Sequence, residues 1–318
     1  MGDTEISWTH RPGTRGRSWN PTQGCSRVSE GCRACYAERL AARFAETGWS
    51  QGLINLKTRK WNGVVRLASH KLADPLRWRE PSTVFVNSMS DLFHETLTNE
   101  QIAAVFGVMA ATPRHTYQIL TKRARRMREW FEWVDATCMK IADSTNPWWR
   151  VLHCLSEAGY AMAGDDDAPL PGGSGATWPL GNVWLGTSTE NQPAADERIP
   201  DLLATPAAVR FLSVEPMLGP VDLRCVQHER TFEVDALTGD HGVTRPLAGR
   251  GPRVDWIICG AESGPGARPM DHAWARSLRD QCRAAGVAFF VKQLVVNGKL
   301  RKSIDEFPED LRFQEFPS

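Results

Sequence analysis

From residue 83 onward the chain repeats one pattern six times, although no sequence repeat is visible. A short apolar run ends in polar residues, and a helical segment usually follows. The runs are Val84-Phe85-Val86, Tyr117-Gln118-Ile119-Leu120, Val183-Trp184-Leu185, Val209-Arg210-Phe211-Leu212, Trp256-Ile257-Ile258-Cys259 and Phe289-Phe290-Val291. Near-continuous apolar runs mark strands buried on both faces, as in parallel sheets. The segment Ser18 to Gln23 adds a seventh candidate strand. Between the runs, Thr98 and Gln101 form a capping box ahead of Ile102, Val105, Phe106 and Met109, one apolar helix face. Asp271 is placed to cap a helix carrying Trp274, Leu278 and Cys282 that stops at Gly286. This alternation predicts an α/β fold, a complete or partial (β/α) barrel, and one domain over residues 1–318. Segments 143–182 and 223–253 interrupt the pattern and read as insertions; the tract Gly164 to Gly175 reads as a surface loop. Residues 297–318 read as a C-terminal tail.

Composition narrows the class. The 318 residues carry a net charge of +1 and are 42% hydrophobic, which excludes a disordered or globally basic chain. No apolar run reaches membrane-spanning length, and the first residues lack a signal peptide's apolar segment. A cytoplasmic protein without membrane contact is the expectation. In a reducing compartment, eight cysteines are metal ligands or buried hydrophobes more often than disulfides. Cys138, Cys154, Cys225, Cys259 and Cys282 are scattered and read as packing residues.

The other three are not scattered. Cys25, Cys32 and Cys35 fall within eleven residues and run directly into a helix, with Tyr36, Leu40 and Phe44 recurring every four residues as its apolar face and Gly48 as its stop. A helix N-terminus favours thiolate over thiol. Zinc modules need a fourth ligand at matching spacing, and none follows here. Three protein ligands suit a metal or a [4Fe–4S] cluster with one coordination position open. Three buried structural thiols are the plainer alternative.

In a parallel barrel the residues just after each strand share one mouth. That rule gathers Ser88, Asp91, Lys122, Ser188, Glu190, Asn191, Glu215, Glu262, Ser263, Lys292 and Gln293 with the cysteines. Each has a bland reading: Asp91 or Asn191 as a helix cap, Lys292 as a solvated strand end. The run Lys122, Arg123, Arg125, Arg126 and Arg128 places positive charge at a helix start, where the dipole disfavours it unless an anion is present. A nucleic-acid backbone is one such anion, and a solvated face pairing with Glu129 and Glu132 is the other reading.

Seven blocks in order, WNPTQGC…GCRACYAERLA, VFVNSMSDLFHE, YQILTKR, VWLGTSTENQ…ADERI, FLSVEPMLGP, WIICGAESGPGARPM and FFVKQ, resemble the phage-associated three-cysteine proteins of largely unknown function, which are related to radical S-adenosylmethionine (SAM) enzymes. The resemblance covers most of the chain outside the insertions and the tail. It implies a radical-SAM-like partial barrel, a [4Fe–4S] cluster on Cys25, Cys32 and Cys35, and SAM on the open iron, cleaved to a 5′-deoxyadenosyl radical. It also implies an electron donor such as a flavodoxin or ferredoxin, and a protein partner encoded nearby. The chain departs from the common radical SAM pattern in placing six residues between its first two cysteines. Ala34 stands where an aromatic residue usually precedes the third cysteine. Asn87 to Asp91 stands where a Gly-Gly-Glu segment usually holds the SAM amino group. Ser88 and Asp91 are expected to take that role, with Ser188, Glu190 and Asn191 as further cofactor contacts. Glu215, Glu262 and Lys292 are expected to face the substrate, a nucleotide or nucleic-acid base. Lys122, Arg123, Arg125 and Arg126 would then meet nucleic acid. The competing reading is a non-catalytic, metal-stabilised module that binds nucleic acid or protein and holds zinc.

Overall fold

The computed structural model describes residues 4–140, 178–228, 232–241 and 251–317, and six of the seven expected strands are present. In place of the seventh, Ser18 to Gln23, the sheet strand is Arg15–Trp19, and Thr22–Gln23 pairs separately with Arg66–Leu67. The chain clusters into two compact units: Met1–Arg27, Ala37–Trp184 and Pro206–Ala208 form one, and Val28–Tyr36, Leu185–Thr205 and Val209–Ser318 the other. No shift in composition marks the division, because it falls inside a strand.

In the first unit, β1 (Arg15–Trp19) pairs in parallel with β2 (Ser82–Val86), Trp19 opposite Val86. Strand β2 pairs in parallel with β3 (Thr116–Thr121), Val86 opposite Ile119. Every residue of β2 is buried, as a strand covered on both faces requires. Helix α2 (Asn99–Ala110) follows β2, and its capping box is as expected: Gln101 N donates to Thr98 Oγ1 at 3.2 Å, and Thr98 N donates to Gln101 Oε1 at 3.0 Å. Helix α3 (Ala124–Lys140) follows β3. Phe106 of α2 stacks on Trp130 of α3, with ring centroids 4.3 Å apart, and Phe93 joins them at 6.2 Å from Trp130. Aromatic burial of this kind dominates core energetics.

The helix after the cysteines corrects one expectation. In α1 (Tyr36–Arg43) the buried residues are Ala37, Glu38, Ala41 and Ala42. Tyr36, Leu40 and Phe44 are 45%, 38% and 44% exposed. The short strands Ile54–Asn55 and Lys60–Trp61 form a hairpin, and Ile54, Trp49 and Trp61 pack on the alanines. Small side chains let the backbones approach closely, and Trp61 N donates to Glu38 Oε1 at 3.0 Å. The helix also ends at Arg43, with Gly48 N donating to Phe44 O at 3.0 Å in the turn beyond.

Strand β4 (Val183–Ser188) begins in the first unit and ends in the second, and all six of its residues are buried. Helix α4 (Gln192–Ala204) follows it, then β5 (Val209–Val214). A small antiparallel sheet of β6 (Val226–His228), β7 (Phe232–Asp235) and β8 (Asp240–His241) occupies the described part of the second expected insertion. Strand β9 (Trp256–Gly260) pairs in parallel with β5 on one side and β10 (Ala288–Val296) on the other. Helix α5 (His272–Ala285) connects β9 to β10, starts on Asp271, whose Oδ1 accepts from Ala273 N at 2.8 Å, and stops at Gly286 with φ 66°. The tail is ordered: β11 (Lys299–Arg301) pairs with β10, and Val291 N donates to Phe313 O at 2.8 Å. Most of the first expected insertion, including the tract Gly164 to Gly175, lies outside the described residues. Among the described residues no helix is long and apolar enough to cross a membrane. The fold is mixed α/β, with parallel strands in both units.

Candidate functional site

In the first unit, the residues after β1, β2 and β3 meet at Cys25 and Ser26. Cys25 is half-buried, and its Sγ lies 4.0 Å from Arg123 Nη1. Arg123 Nη2 donates to Ser26 Oγ at 2.8 Å and to Ser26 O at 3.3 Å. Ser26 Oγ also bonds His94 Nε2 at 2.9 Å. Arg123 is 6% exposed, and its charge is met by Asp91 at 3.0 Å and Glu95 at 2.8 Å. Burial opposes the charge, but Asp91, Cys25 and Glu95 outweigh it and hold the guanidinium above its ordinary pKa.

This arrangement changes the part assigned to Asp91. Its Oδ1 accepts from Phe93 N at 3.0 Å and Thr121 Oγ1 at 2.7 Å, and its Oδ2 accepts from Lys122 N at 3.3 Å and Arg123 Nη1 at 3.0 Å. A carboxylate with four donors has little capacity for an ammonium as well. Ser88 remains half-buried beside Asn20, whose Nδ2 donates to Ser88 Oγ at 3.1 Å and whose Oδ1 accepts from Met89 N at 2.9 Å. Asn87 makes the turn between them at φ 60°, and its buried Oδ1 has no hydrogen-bond partner among the described residues.

The basic run is also redirected. Arg123 is interior and does not present a charge to a nucleic acid. Arg126 Nη2 bonds Asn99 Oδ1 at 2.6 Å, while Arg125–Glu129 at 3.0 Å and Arg128–Glu132 at 3.7 Å are the pairs of a solvated helix face. Lys122 lends its backbone N–H to Asp91.

The second unit holds Cys32 and Cys35 on the segment Val28–Tyr36. Glu190, directly after β4, is 1% exposed; its Oε1 accepts from Ser29 Oγ at 2.5 Å and its Oε2 from Arg198 Nη1 at 2.8 Å. Gly31 lies so close that a Cβ there would overlap the Glu190 side chain. Arg198 Nη1 also donates to Ser188 O at 2.8 Å. Asn191 is the cap of α4, accepting from Ala194 N at 3.1 Å, as its bland reading has it. Glu262, after β9, accepts from Arg268 N at 2.8 Å and Arg268 Nε at 3.0 Å, and Arg268 Nη2 donates to Glu30 O at 3.0 Å. Burial alone would raise the Glu262 pKa, but the bonds from Arg268 and its charge hold it below the ordinary carboxylate value.

Glu215 follows β5, and Lys292 and Gln293 lie on β10. Lys292 Nζ is 2.7 Å from both Glu215 oxygens, and Gln293 Nε2 donates to Glu215 Oε1 at 3.1 Å. Tyr36 is 45% exposed, and desolvation, then Cys35 and Glu215, raise its phenol above the ordinary range. These groups form a half-buried polar set able to orient a polar ligand.

Ser29, His94, Glu95, Arg198 and Arg268 escaped the strand-end rule. Each lies within or beside the recognised blocks, but only the folded chain brings it to a partner. Among the described residues no group of three or more His, Cys, Asp or Glu side chains is gathered as for a metal ion. Thiolates are the ligands an iron–sulfur cluster takes. None of the three thiols is in a disulfide, all are partly open to solvent, and a guanidinium lies beside Cys25, where a cation favours the thiolate. Cys259 and Cys282 are buried packing residues, with burial raising both thiols and Cys282 reaching about 12.

A family model described as Protein of unknown function (DUF5131) matches residues 3–305. No curated protein and no solved structure matches the chain.

Proposed function

The chain belongs to the DUF5131 family, whose function is unknown, and from its own residues we propose an iron–sulfur enzyme of radical SAM type on a partial-barrel scaffold. The observation that carries this reading is the placement of the partly exposed Cys25 thiol 4.0 Å from the buried guanidinium of Arg123. A cation beside a thiol favours the thiolate, the form that ligates iron. Cys25, Cys32 and Cys35 would hold a [4Fe–4S] cluster, which, with SAM and an electron from an external donor, would supply one-electron cleavage of SAM and hydrogen abstraction from a substrate.

The remaining work falls to the chain. Ser88, with Asn20 beside it, offers a hydroxyl and an amide to a polar group of SAM. Asp91 keeps Arg123 charged instead of contacting SAM itself. Glu215, Lys292 and Gln293 accept and donate toward a polar substrate. The basic run lends less support to a nucleic-acid substrate, because Arg123 is interior and Arg126 bonds Asn99.

The test is anaerobic reconstitution with iron and sulfide, then incubation with SAM and dithionite. Methionine and 5′-deoxyadenosine are the expected products. A protein that retains zinc, takes up no iron and does not bind SAM is the metal-stabilised binding module instead.

A further inference from the structure

We propose that Glu190 and Arg268 are positioning residues for the Cys32–Cys35 half of the cysteine loop, not contacts for cofactor or substrate. The segment Val28–Tyr36 contains a single 3-10 turn, Glu30–Cys32, and belongs to no sheet. Side chains therefore help to fix its place before it enters α1 at Tyr36. Three consecutive residues just before Cys32 are so held. Ser29 Oγ donates to Glu190 at 2.5 Å, Glu30 O accepts from Arg268 Nη2 at 3.0 Å, and Gly31 abuts the Glu190 side chain.

Both anchors are themselves fixed. Glu190 is ion-paired to Arg198, with side-chain exposures of 2% and 4%. Arg268 is gripped by Glu262 through its own backbone N–H and through Nε. A carboxylate this enclosed has no open edge for a ribose or a substrate, but it serves well as a rigid stop for a loop. Only glycine fits at position 31, because any larger residue would displace either Glu190 or the loop. Preorganisation of ligand-bearing segments by a locked supporting layer is the general requirement of a precise site.

The inference rests on the proposed reading only in taking Cys32 and Cys35 as cluster ligands. Amide hydrogen exchange in the reduced, metal-free protein tests the clamp without that assumption. Arg268→Ala and Gly31→Ala should each speed exchange of residues 30–36 by about tenfold or more, the scale of one lost local anchor, with α5 unchanged. Arg268→Lys should restore part of the protection. In reconstituted protein the electron paramagnetic resonance spectrum of the reduced cluster should shift in Arg268→Ala and return toward wild type in Arg268→Lys. Unchanged exchange in both alanine variants overturns the proposal. So does unchanged loop exchange accompanied by weakened SAM binding, which would make these residues ligand contacts. If Gly31→Ala does not fold, the Arg268 pair decides alone. Failure of the wild-type protein to take up iron would sink the enzyme reading and leave the exchange result standing.

Discussion

The two compact units hold their shares of the cysteine loop with opposite charges. In the first, a guanidinium does the holding: Arg123 reaches Ser26 and stands beside Cys25, balanced by a buried Asp91 and a Glu95 that is 60% exposed. In the second, a carboxylate forms the stop: Glu190 takes Ser29, balanced by an equally buried Arg198. The difference matters because only the first arrangement places a cation against a thiol. A charge pair shut away from solvent is an anchor, and a charge pair with one open member can also set the local field. Acidic residues at the ends of parallel strands are therefore not ligands by default.

The comparison breaks most visibly at Arg198. Arg198→Met removes the buried ion-pair partner of Glu190, so urea denaturation should show a loss of about 3–5 kcal/mol. A loss below about 1 kcal/mol would mean that the pair is not closed off as described. Arg123→Met should cost less, about 1.5–3 kcal/mol by the same measurement, because Asp91 keeps bonds from Phe93, Thr121 and Lys122. An equal cost at both sites would erase the distinction drawn between them.

Acid titration sharpens the picture at Glu262. Its folded pKa is depressed, so its stabilisation is present above the ordinary carboxylate value and lost as pH falls through the folded value. Arg268→Gln should remove that part of the acid limb, by about 1 kcal/mol or less because Arg268 is a fifth exposed. The smallest effect belongs to Arg125→Ala, which removes a solvated pair with Glu129 and should change stability by less than about 0.5 kcal/mol.

Much of the scaffold was legible from local chemistry. The apolar runs, the Thr98–Gln101 box and the Asp271 to Gly286 helix all depend on neighbours within a few residues, and the fold keeps them. What escaped was decided at longer range. Asp91 reads as a free carboxylate until β3 delivers Thr121, Lys122 and Arg123, some thirty residues later, to its oxygens. In helix α1 the four-residue spacing of Tyr36, Leu40 and Phe44 points to a buried face, yet the hairpin packs on its alanines and leaves those three outward. The basic run looked like a surface charge because sequence spacing does not reveal that Arg123 turns inward. Glu190 and Arg198 are eight residues apart, separated by the strand-to-helix turn that Asn191 caps, and no periodicity links them.

Iron content after anaerobic reconstitution tests the central claim most directly. Wild-type protein should hold about four irons per chain, and Cys25→Ala, Cys32→Ala and Cys35→Ala should each lose most of them. Cys225→Ala, at a half-exposed thiol outside the loop, should match wild type. Wild-type protein that binds zinc and no iron, or full iron retention in any one of the three loop variants, would contradict a cluster held by these thiols.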